Sequence, residues 1–403
     1  MKILVIANNI LRKVSPASSI ENSLLEGLAS EGFKITTYCS SLGELYNRSD
    51  AYRTILIKER IIWVYFCKIV RKVFPDLMYI PDFHYFSWGL KTQWTAIRDV
   101  KRNHYGCIHS FSHASSNHLI AYYLHRKSGL PWIATFYDSW TDYPELKYKT
   151  QLFRKYNQNL ERLVAESANI IVHNNENIAN LWRKRYGEVV KNKIFVIPLT
   201  ESFEGLREPT SIEKKSNILV ISHIGTFYPF RDASSFIEGV RLFVEENPHY
   251  RNNIHINFIG KTLVSDLKKI VDYKLDDIIS ILGRMSQYEC EEYYLSSDIF
   301  LATAMAPFED ITYPSKILKY FFYRKPILGI CPDSSVLSSE LEMAGHRHYR
   351  PDDSQGIADY LLCAVDNYEN LCSFDINYWK KFTKEKIVGE YKELIETLVT
   401  NIK

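Results

Sequence analysis

Residues 218–231 read ILVISHIGTFYPFR, and the interpretation of the fold starts from this stretch. An apolar run of strand length, 218–224, leads directly into a turn that begins with Gly225. Similar short apolar runs alternate with amphipathic segments along the whole chain, which is the pattern of parallel sheets covered by helices. The sequence therefore predicts an α/β fold.

The same alternation predicts two series of strands. Those of the first half are 2–7, 34–39, 107–111, 132–136, 169–173 and 194–197. Those of the second half are 218–224, 254–259, 279–282, 299–302 and 326–330, with helices near 233–245, 262–271, 286–296, 315–323 and 353–366. A first helix is expected from about Ile20 to Glu31, opened by a capping box of Ser18 and Glu21 and closed by Gly32.

Length and composition indicate two domains. A chain of 403 residues with 46% hydrophobic content is too long for one ordinary core. The stretch 202–217 is polar, contains Pro209 and has no periodicity, so it is the predicted linker. We expect an N-terminal Rossmann-like domain at 1–205 and a C-terminal Rossmann-like domain at 206–375. The remaining residues, 376–403, should form a helix that packs back on the N-terminal domain.

Charge and cysteine content exclude several classes. The 50 basic and 47 acidic residues are spread along the chain, unlike the concentrated basic surface of a nucleic-acid-binding protein. The seven cysteines contain no C-x-x-C pair, which indicates neither a zinc site nor a disulfide framework. No apolar run reaches the ~18 residues of a spanning helix, and the run at 3–7 is shorter than a signal-peptide core. We therefore expect a cytoplasmic protein, soluble or peripheral at the membrane, without a nucleic-acid partner.

Two loops of the second half carry groups suited to an anion. Gly225 allows the backbone to approach a phosphate, and Arg231 can donate two parallel hydrogen bonds to a diphosphate. The segment PSKILKY, 314–320, begins with proline, so free amides at a helix start and Lys316 could also bind an anion. Each loop also has an ordinary structural interpretation. The first would be a turn glycine with a surface arginine, and the second an ordinary helix with solvated lysines.

The first half offers fewer chemical signals. His109, His113 and His118 lie around the end of one predicted strand, and Asp138 follows the next. Their spacing is not that of metal ligands, and a histidine near a strand end is more often simply hydrogen-bonded than catalytic. The motifs GxSxG, Walker A and GxGxxG are absent, which excludes the common hydrolase, P-loop and dinucleotide-binding interpretations.

The segment KERIIWVYFCKIVRKVF, 58–74, mixes four aromatic residues with five basic residues and one acid. Such a segment can lie in a membrane interface with its rings inserted and its basic side chains on anionic headgroups. The alternative is a helix packed on the N-terminal domain with a basic solvated face.

Four segments in order resemble the bacterial family 4 glycosyltransferases, especially those that build surface polysaccharides. GTFYPFR at 225–231 resembles that family's GTFYPGR loop, and PSKILKYFFYRKPIL at 314–328 resembles its PSKLFEYLAAGKPIL segment. Upstream, Pro81-Asp82 with Trp88, and LPWIATFYDSWT at 130–141, resemble PD…W and LPWIADFRDPWT. The resemblance extends over roughly residues 1 to 370.

This resemblance implies a GT-B fold, in which two Rossmann-like β/α/β domains face each other across a cleft. It implies a nucleoside-diphosphate-sugar donor, a glycan or lipid-linked glycan acceptor, transfer with retention of anomeric configuration, and no metal or other cofactor. The donor-binding residues would be Gly225, Thr226, Phe227, Arg231, Gly283, Arg284, Met285, Ser315, Lys316 and Lys319. Residues on the acceptor side would be Asn9, Ser18 and His113, and the candidate catalytic residues are His109, Asp138, Glu309 and Asp310.

Two departures from the family pattern leave other functions open. Lys319 stands where the family has a ribose-binding glutamate, and a charged lysine cannot accept hydrogen bonds from ribose hydroxyls. The glycine-rich loop after the first strand is replaced by Asn8-Asn9-Ile10 and a polar turn. The alternatives are a nucleotide-sugar epimerase of the same architecture and a non-catalytic, glycosyltransferase-like binding subunit.

Overall fold

The structure is a computed structural model. It describes residues 1–11, 16–40, 49–59, 62, 65–66, 69, 85–112, 114–142, 151–201, 203–209, 214, 216–229, 231–304 and 311–400. The chain divides into two compact units. Unit 1 comprises Met1–Ser202 together with Lys381–Lys403, and unit 2 comprises Phe203–Lys380.

Unit 1 is built on a parallel sheet. Its strands are β1 (Lys2–Ile6), β2 (Lys34–Ser40), β3 (Arg53–Ile57), β4 (Cys107–Phe111), β5 (Trp132–Phe136), β6 (Ile170–His173) and β7 (Ile194–Val196). The helices between them are α1 (Pro16–Ser30), α2 (Leu90–Arg102), α3 (Ser115–Ser128), α4 (Gln151–Ser167) and α5 (Glu176–Tyr186). The strand order β3-β2-β1-β4-β5-β6-β7 reverses between β1 and β4. Ligands of such sheets bind at the carboxyl ends of the strands beside this reversal.

Unit 2 repeats this plan with a second parallel sheet. Its strands are β8 (Leu219–Ile224), β9 (Ile254–Ile259), β10 (Ile279–Gly283), β11 (Ile299–Thr303), β12 (Ile327–Ile330) and β13 (Arg347–Tyr349). Its helices are α6 (Ser234–Glu246), α7 (Val264–Asp272), α8 (Gln287–Ser296), α9 (Ile317–Phe322), α10 (Val336–Ala344) and α11 (Ser354–Asp366). The order β10-β9-β8-β11-β12-β13 reverses between β8 and β11, so the loop that begins at Gly225 lies beside the reversal.

The predicted strands of both halves are present, with ends that differ by one residue at most. β3 and β13 were not predicted, because RTILI is a half-buried edge strand and RHY has no apolar run. The capping box of the first helix is wrong. Helix α1 begins at Pro16, so Ser18 lies inside it, and the Ser18 hydroxyl donates to the carbonyl of Ile10 at 2.5 Å.

The C-terminal helix α12 (Lys384–Thr400) belongs to unit 1 and packs on α1. One face is apolar and buried, as expected for a helix that covers a core; its residues are Ile387, Val388, Tyr391, Leu394, Ile395 and Leu398. The helices approach closely at Gly27, where a Cβ would lie 2.3 Å from Cγ2 of Val388. At the edge of the contact, Lys392 donates to Glu31 at 2.7 Å.

The close approach at Gly27 generates a stability prediction. Gly27→Val should lower the free energy of unfolding by about 1–3 kcal/mol, because the added methyl groups overlap a rigid valine across the helix contact. Gly389→Val on α12 is the matched control, since nothing lies within 4 Å of a Cβ at Gly389. Urea denaturation followed by tryptophan fluorescence measures both variants. Equal changes in the two variants would show that Gly27 does not limit the approach of α1 and α12.

Candidate functional site

The loop after β8 lies directly against the chain that follows β9. Gly225 has φ +148°, and its amide donates to the carbonyl of Ile259 at 2.8 Å, while the amide of Phe227 donates to Lys261 at 2.9 Å. A Cβ on Gly260 would lie 2.2 Å from the carbonyl oxygen of Gly225. Only glycine at 260 permits this contact between the two loops.

A third glycine extends the arrangement to β10. Gly283 has φ +70°, and its carbonyl accepts from the amide of Gly260 at 2.6 Å. Three neighbouring strands therefore reach glycines with positive φ at their carboxyl ends, and these ends are joined by backbone hydrogen bonds. Arg284 is exposed and Met285 half-buried directly after the last of these glycines. Nothing lies within 4 Å of a Cβ position at Gly283, so a ligand could approach the main chain closely at that strand end.

The far end of the same loop is anchored at the start of α6. Tyr228 and Arg231 exchange two backbone hydrogen bonds of 3.3 and 2.8 Å, which close a tight turn. The buried carboxylate of Asp266 then accepts from the amide of Ala233 and the hydroxyl of Ser234, both at 3.1 Å. Arg231, half-buried, is thus held on a loop that is fixed at both ends.

A buried histidine and a lysine meet beneath this loop. Nδ1 of His223, on β8, lies 3.0 Å from the carbonyl oxygen of Leu301, and Nε2 lies 3.0 Å from Nζ of Lys316. A carbonyl can only accept, so Nδ1 donates to Leu301. Nζ of Lys316 lies near both ring nitrogens, 3.0 Å from Nε2 and 3.4 Å from Nδ1. A donor on one side of the ring and a carbonyl on the other favour the neutral imidazole.

Electrostatics and packing agree with that assignment. The pKa of His223 is held well below its usual value, first by burial and then by the positive charges of Lys316 and Arg231. Both cations therefore act on the same strand end. Phe227, one of the predicted donor-binding residues, is buried and stacks on the His223 ring with centroids 3.8 Å apart. It supports the histidine from within the core.

The segment after β11 differs from the predicted helix start. Helix α9 begins at Ile317 and has six residues, and the amides of Ile317 and Leu318 donate to Pro314 and Ser315. The expected helix start at Ser315 is wrong, because a turn occupies 314–316 and uses these amides. Lys316 brings a positive charge to this place.

Other predicted donor-binding residues of unit 2 lie on α9 and in the two loops. Lys319 is half-buried on α9 and lies close enough to Cys290 on α8 for its charge to lower the pKa of that thiol, although burial raises that pKa overall. Thr226 and Ser315 are half-buried in the two loops. Glu309 and Asp310 lie outside the described residues.

The predicted residues of unit 1 are distributed between core and edge. His109 is completely buried in β4, its Nε2 lies 2.9 Å from the hydroxyl of Thr135, and burial lowers its pKa to about 3. This environment is that of a neutral core residue. Asn9 and Asp138 are half-buried at the carboxyl edge of the sheet, and Ser18 is buried against the chain that follows β1. His113 lies outside the described residues.

Sequence reasoning did not single out three buried polar groups. His223 is one, and its signal is a polar residue in an otherwise apolar strand. Asn8 and Glu21 are the others, and both are buried. In the part of the chain that the structure describes, neither the side-chain amide of Asn8 nor Oε2 of Glu21 has a hydrogen-bond partner. Burial raises the pKa of Glu21 well above its usual value. Buried polar groups left in this way are candidates for ligand or water contacts.

The loop after β5, which carries Asp138, is fixed by a buried ion pair. Glu161 is fully buried and accepts from Arg185 at 2.7 Å, from the hydroxyl of Tyr186 at 2.6 Å and from the amide of Thr141 at 2.9 Å. Arg185 also donates to Asp142 at 2.7 Å. Burial raises the pKa of Glu161, and the contacts with Arg185, Tyr186 and Thr141 oppose that rise. The network therefore joins the loop to α4 and α5.

The described residues contain no cluster of three or more histidine, cysteine, aspartate or glutamate side chains that could hold a metal ion. The absence of a metal requirement stays a prediction.

Part of the chain matches the model of a known protein family. Residues 22–199 match the model of Glycosyltransferase Family 4. No curated protein sequence is significantly similar to this chain. The resemblance noted in the sequence is thus supported by the family model over most of unit 1.

Solved structures resemble the chain over nearly its whole length. HepE of Anabaena, solved with UDP and glucose, has a TM-score of 0.66 at 12% identity and covers 98% of this chain and 100% of its own. Sucrose-phosphate synthase of Thermosynechococcus elongatus has a TM-score of 0.68 at 13% identity, with full coverage of both chains. WaaB, a lipopolysaccharide outer core galactosyltransferase in apo form, has a TM-score of 0.67 at 10% identity and covers 98% of this chain and 99% of its own. The expected α/β, GT-B fold is confirmed.

The buried ion pair generates the prediction of this subsection. Arg185→Met should lower the free energy of unfolding by about 3 kcal/mol, because the carboxylate of Glu161 loses its cation in the core. Arg183→Met on the same helix is the matched control and should cost less than about 1 kcal/mol, since the pair of Arg183 with Glu176 is exposed. Chemical denaturation of both variants measures the difference. Equal costs would show that the network does not stabilise the loop after β5.

Proposed function

Because this chain carries a glycosyltransferase family 4 domain and has the GT-B fold, we propose that it transfers a sugar from a nucleoside-diphosphate sugar to a glycan or lipid-linked glycan. We propose further that the transfer retains the anomeric configuration and serves surface-polysaccharide synthesis. The observation that carries the proposal is the arrangement of Arg231 and Lys316 around the glycine-lined strand ends of unit 2.

The donor site follows from charge and backbone together. The charges of Lys316 and Arg231 act at the carboxyl end of β8, beside the glycines that follow β8 and β9 and end β10. A diphosphate needs cations and close backbone approach, and this edge supplies both. In the related HepE structures the bound molecules are UDP and UDP-glucose, which makes UDP the first ligand to test.

The acceptor is proposed to bind unit 1, at the carboxyl edge of its sheet. Asn8 and Glu21 supply buried polar groups there, and Asp138 stands on a loop held by the Glu161 ion pair. A carboxylate and amides are suited to binding sugar hydroxyls. Asp138 is the better candidate for contact with the reacting groups than His109, because it is half-buried at the strand end and His109 is fully enclosed.

In the proposed reaction the protein acts mainly by electrostatics. Negative charge develops on the departing diphosphate while the sugar becomes oxocarbenium-like, and Arg231 and Lys316 stabilise that charge. As the bond from the anomeric carbon to the diphosphate breaks, the acceptor hydroxyl attacks that carbon from the same face, and its proton passes to the departing diphosphate.

Membrane contact is part of the proposal and depends on the segment 58–74. Its described residues Ile62, Tyr65, Phe66 and Ile69 are helical and 54–77% exposed, at the spacing of one helix face. Among the described helices, none is long and apolar enough to cross a membrane. An interfacial contact, with basic residues on anionic headgroups, fits these observations.

The donor site is tested by calorimetry with UDP and uridine, and with GDP, ADP and their nucleosides if UDP does not bind. Arg231→Ala should weaken binding of the diphosphate by roughly ten- to a hundredfold, because a charge-assisted pair is lost. Binding of the nucleoside should change little. Arg347→Ala on the edge strand β13 removes the same charge elsewhere in unit 2 and should leave both affinities unaltered. Equal losses for diphosphate and nucleoside would place the donor elsewhere, and binding without turnover of any sugar donor would favour a non-catalytic subunit.

The membrane contact is tested by sedimentation with vesicles of phosphatidylcholine containing phosphatidylserine. The wild-type protein should co-sediment in a salt-sensitive manner, and a double substitution of Ile62 and Ile69 by serine should reduce the bound fraction severalfold. The matched control replaces Val264 and Val271 by serine. These valines lie seven residues apart on α7 and are 82% and 66% exposed. Recovery of the wild-type protein in the supernatant with and without vesicles would refute the contact.

A further inference from the structure

Three neighbouring strands of unit 1 begin with a cation. The first residues of β1, β2 and β3 are Lys2, Lys34 and Arg53. Lys2 and Lys34 are partners in the register of β1 and β2, and β3 lies on the other side of β2. All three cations therefore stand at the amino edge of the sheet. This edge is opposite to the carboxyl edge at which the acceptor is proposed to bind.

The cations of this edge have no carboxylate partner among the residues that the structure describes. Nζ of Lys2 donates to the neutral side-chain oxygen of Asn103 at 3.1 Å, and neither Lys34 nor Arg53 forms an ion pair there. Both of these side chains are exposed. Like charges directly opposite on neighbouring strands are destabilising. An anion bound at this edge would therefore relieve their repulsion.

The carboxylate nearest to this edge makes its contacts with neutral groups. Asp99, on α2, accepts from the hydroxyls of Tyr38 and Tyr105 at 3.1 and 2.7 Å. It also accepts from the side-chain amide of Asn103 at 2.7 Å. Arg53 lies near this group, because its charge lowers the pKa of Tyr105, which burial raises overall to about 12. The hydrogen bonds of Asp99 thus go to hydroxyl and amide donors.

The three cations line one cavity of about 790 Å³, which is within the size range of small-molecule sites. The lining also includes Tyr52 and Tyr105, which are 6% and 7% exposed, and one acidic residue, Asp50. Three cations and one carboxylate give the lining a net charge of +2. A phosphate monoester carries about −1.5 to −2 charges at pH 7, so its charge matches that of the lining.

One wall of the cavity is fixed to α1. In the segment before β3, the hydroxyl of Ser49 donates to Glu26 at 2.8 Å, and the hydroxyl of Tyr52 donates to Asn22. Gly32, which follows α1 and also lines the cavity, has φ +87°, and nothing lies within 4 Å of a Cβ position there. The cavity therefore combines a hydrogen-bonded wall with open space at Gly32.

From these observations we propose that the amino-edge cavity, lined by Lys2, Lys34 and Arg53, is a second anion site that binds a small phosphorylated molecule. Lys34 and Arg53 would donate charge-assisted hydrogen bonds to the phosphate oxygens. The tyrosine rings of the lining offer apolar surface to the rest of the molecule. The site lies in unit 1 and does not depend on the proposed donor site of unit 2.

The test is calorimetry with inorganic pyrophosphate at physiological salt, where long-range attraction is screened within about 8 Å. The double variant Lys34→Gln, Arg53→Gln should bind at least tenfold more weakly, because charge-assisted hydrogen bonds are lost. The matched control replaces Lys155 and Arg162 by glutamine. These exposed cations lie on α4 of the same unit and outside the cavity, so their loss should leave the affinity unaltered.

The proposed donor site also attracts a diphosphate, so the measurements are repeated in the Arg231→Ala background. The double substitution should cost the same factor there, because independent sites contribute additively. If Arg231→Ala alone abolishes pyrophosphate binding, the donor site accounts for all of it and the amino-edge site is overturned. If Arg231→Ala changes nothing while the double variant loses binding, the amino-edge site stands and the proposed donor site is wrong.

Two further measurements complete the test. Pyrophosphate should raise the melting temperature of the wild-type protein and of the control, but not that of the double variant. Vesicles of phosphatidylcholine with phosphatidic acid distinguish a lipid phosphate from a soluble one. Reduced sedimentation of the double variant relative to the control identifies a lipid phosphate, and equal sedimentation identifies a soluble phosphate ester. Equal pyrophosphate affinities of the double variant and the control would overturn the site in either case.

Discussion

The contact between the chain at Gly225 and the chain at Gly260 is the constraint on which the candidate donor site depends. Carbonyl and amide groups of the two loops meet where a single Cβ would overlap the opposite backbone. This contact turns the loop after β8 across the end of β9, and it leaves Lys316 room to extend over Gly225 towards His223. Any side chain on Gly260 would displace the loop that carries Arg231 and with it one of the two cations.

Each unit contains a buried histidine within a strand, but the two histidines contact different partners. In unit 1 His109 is enclosed with a threonine and aromatic rings, and burial lowers its pKa to about 3. In unit 2 His223 is equally buried, but it contacts an ammonium group at the edge of a candidate anion site. The difference lies in the partner and not in the residue type, which is why a strand-end histidine alone carries little information about function.

The two units share a sheet topology but use the carboxyl edge differently. Unit 2 presents glycines and cations, a combination that suits phosphate oxygens. Unit 1 presents amide and carboxyl groups, including the buried Asn8 and Glu21, which suit uncharged hydroxyls. The residue at 319 adds to this contrast, since a lysine in place of a glutamate increases the positive charge of unit 2 and lies near Cys290 on α8.

The sequence by itself determined the α/β class, the order of the main strands and the loops in which Gly225, Arg231 and Lys316 stand, because apolar runs and turn residues are local signals. It did not determine the start of α9. Residues 314–316 have the sequence of a helix start, but hydrogen bonds form a turn there. The pairing of His223 with Lys316, 93 residues apart, and the overlap that requires glycine at 260 arise only from tertiary structure. Parallel strands bring such distant residues to one edge, and no local pattern encodes which of them will touch.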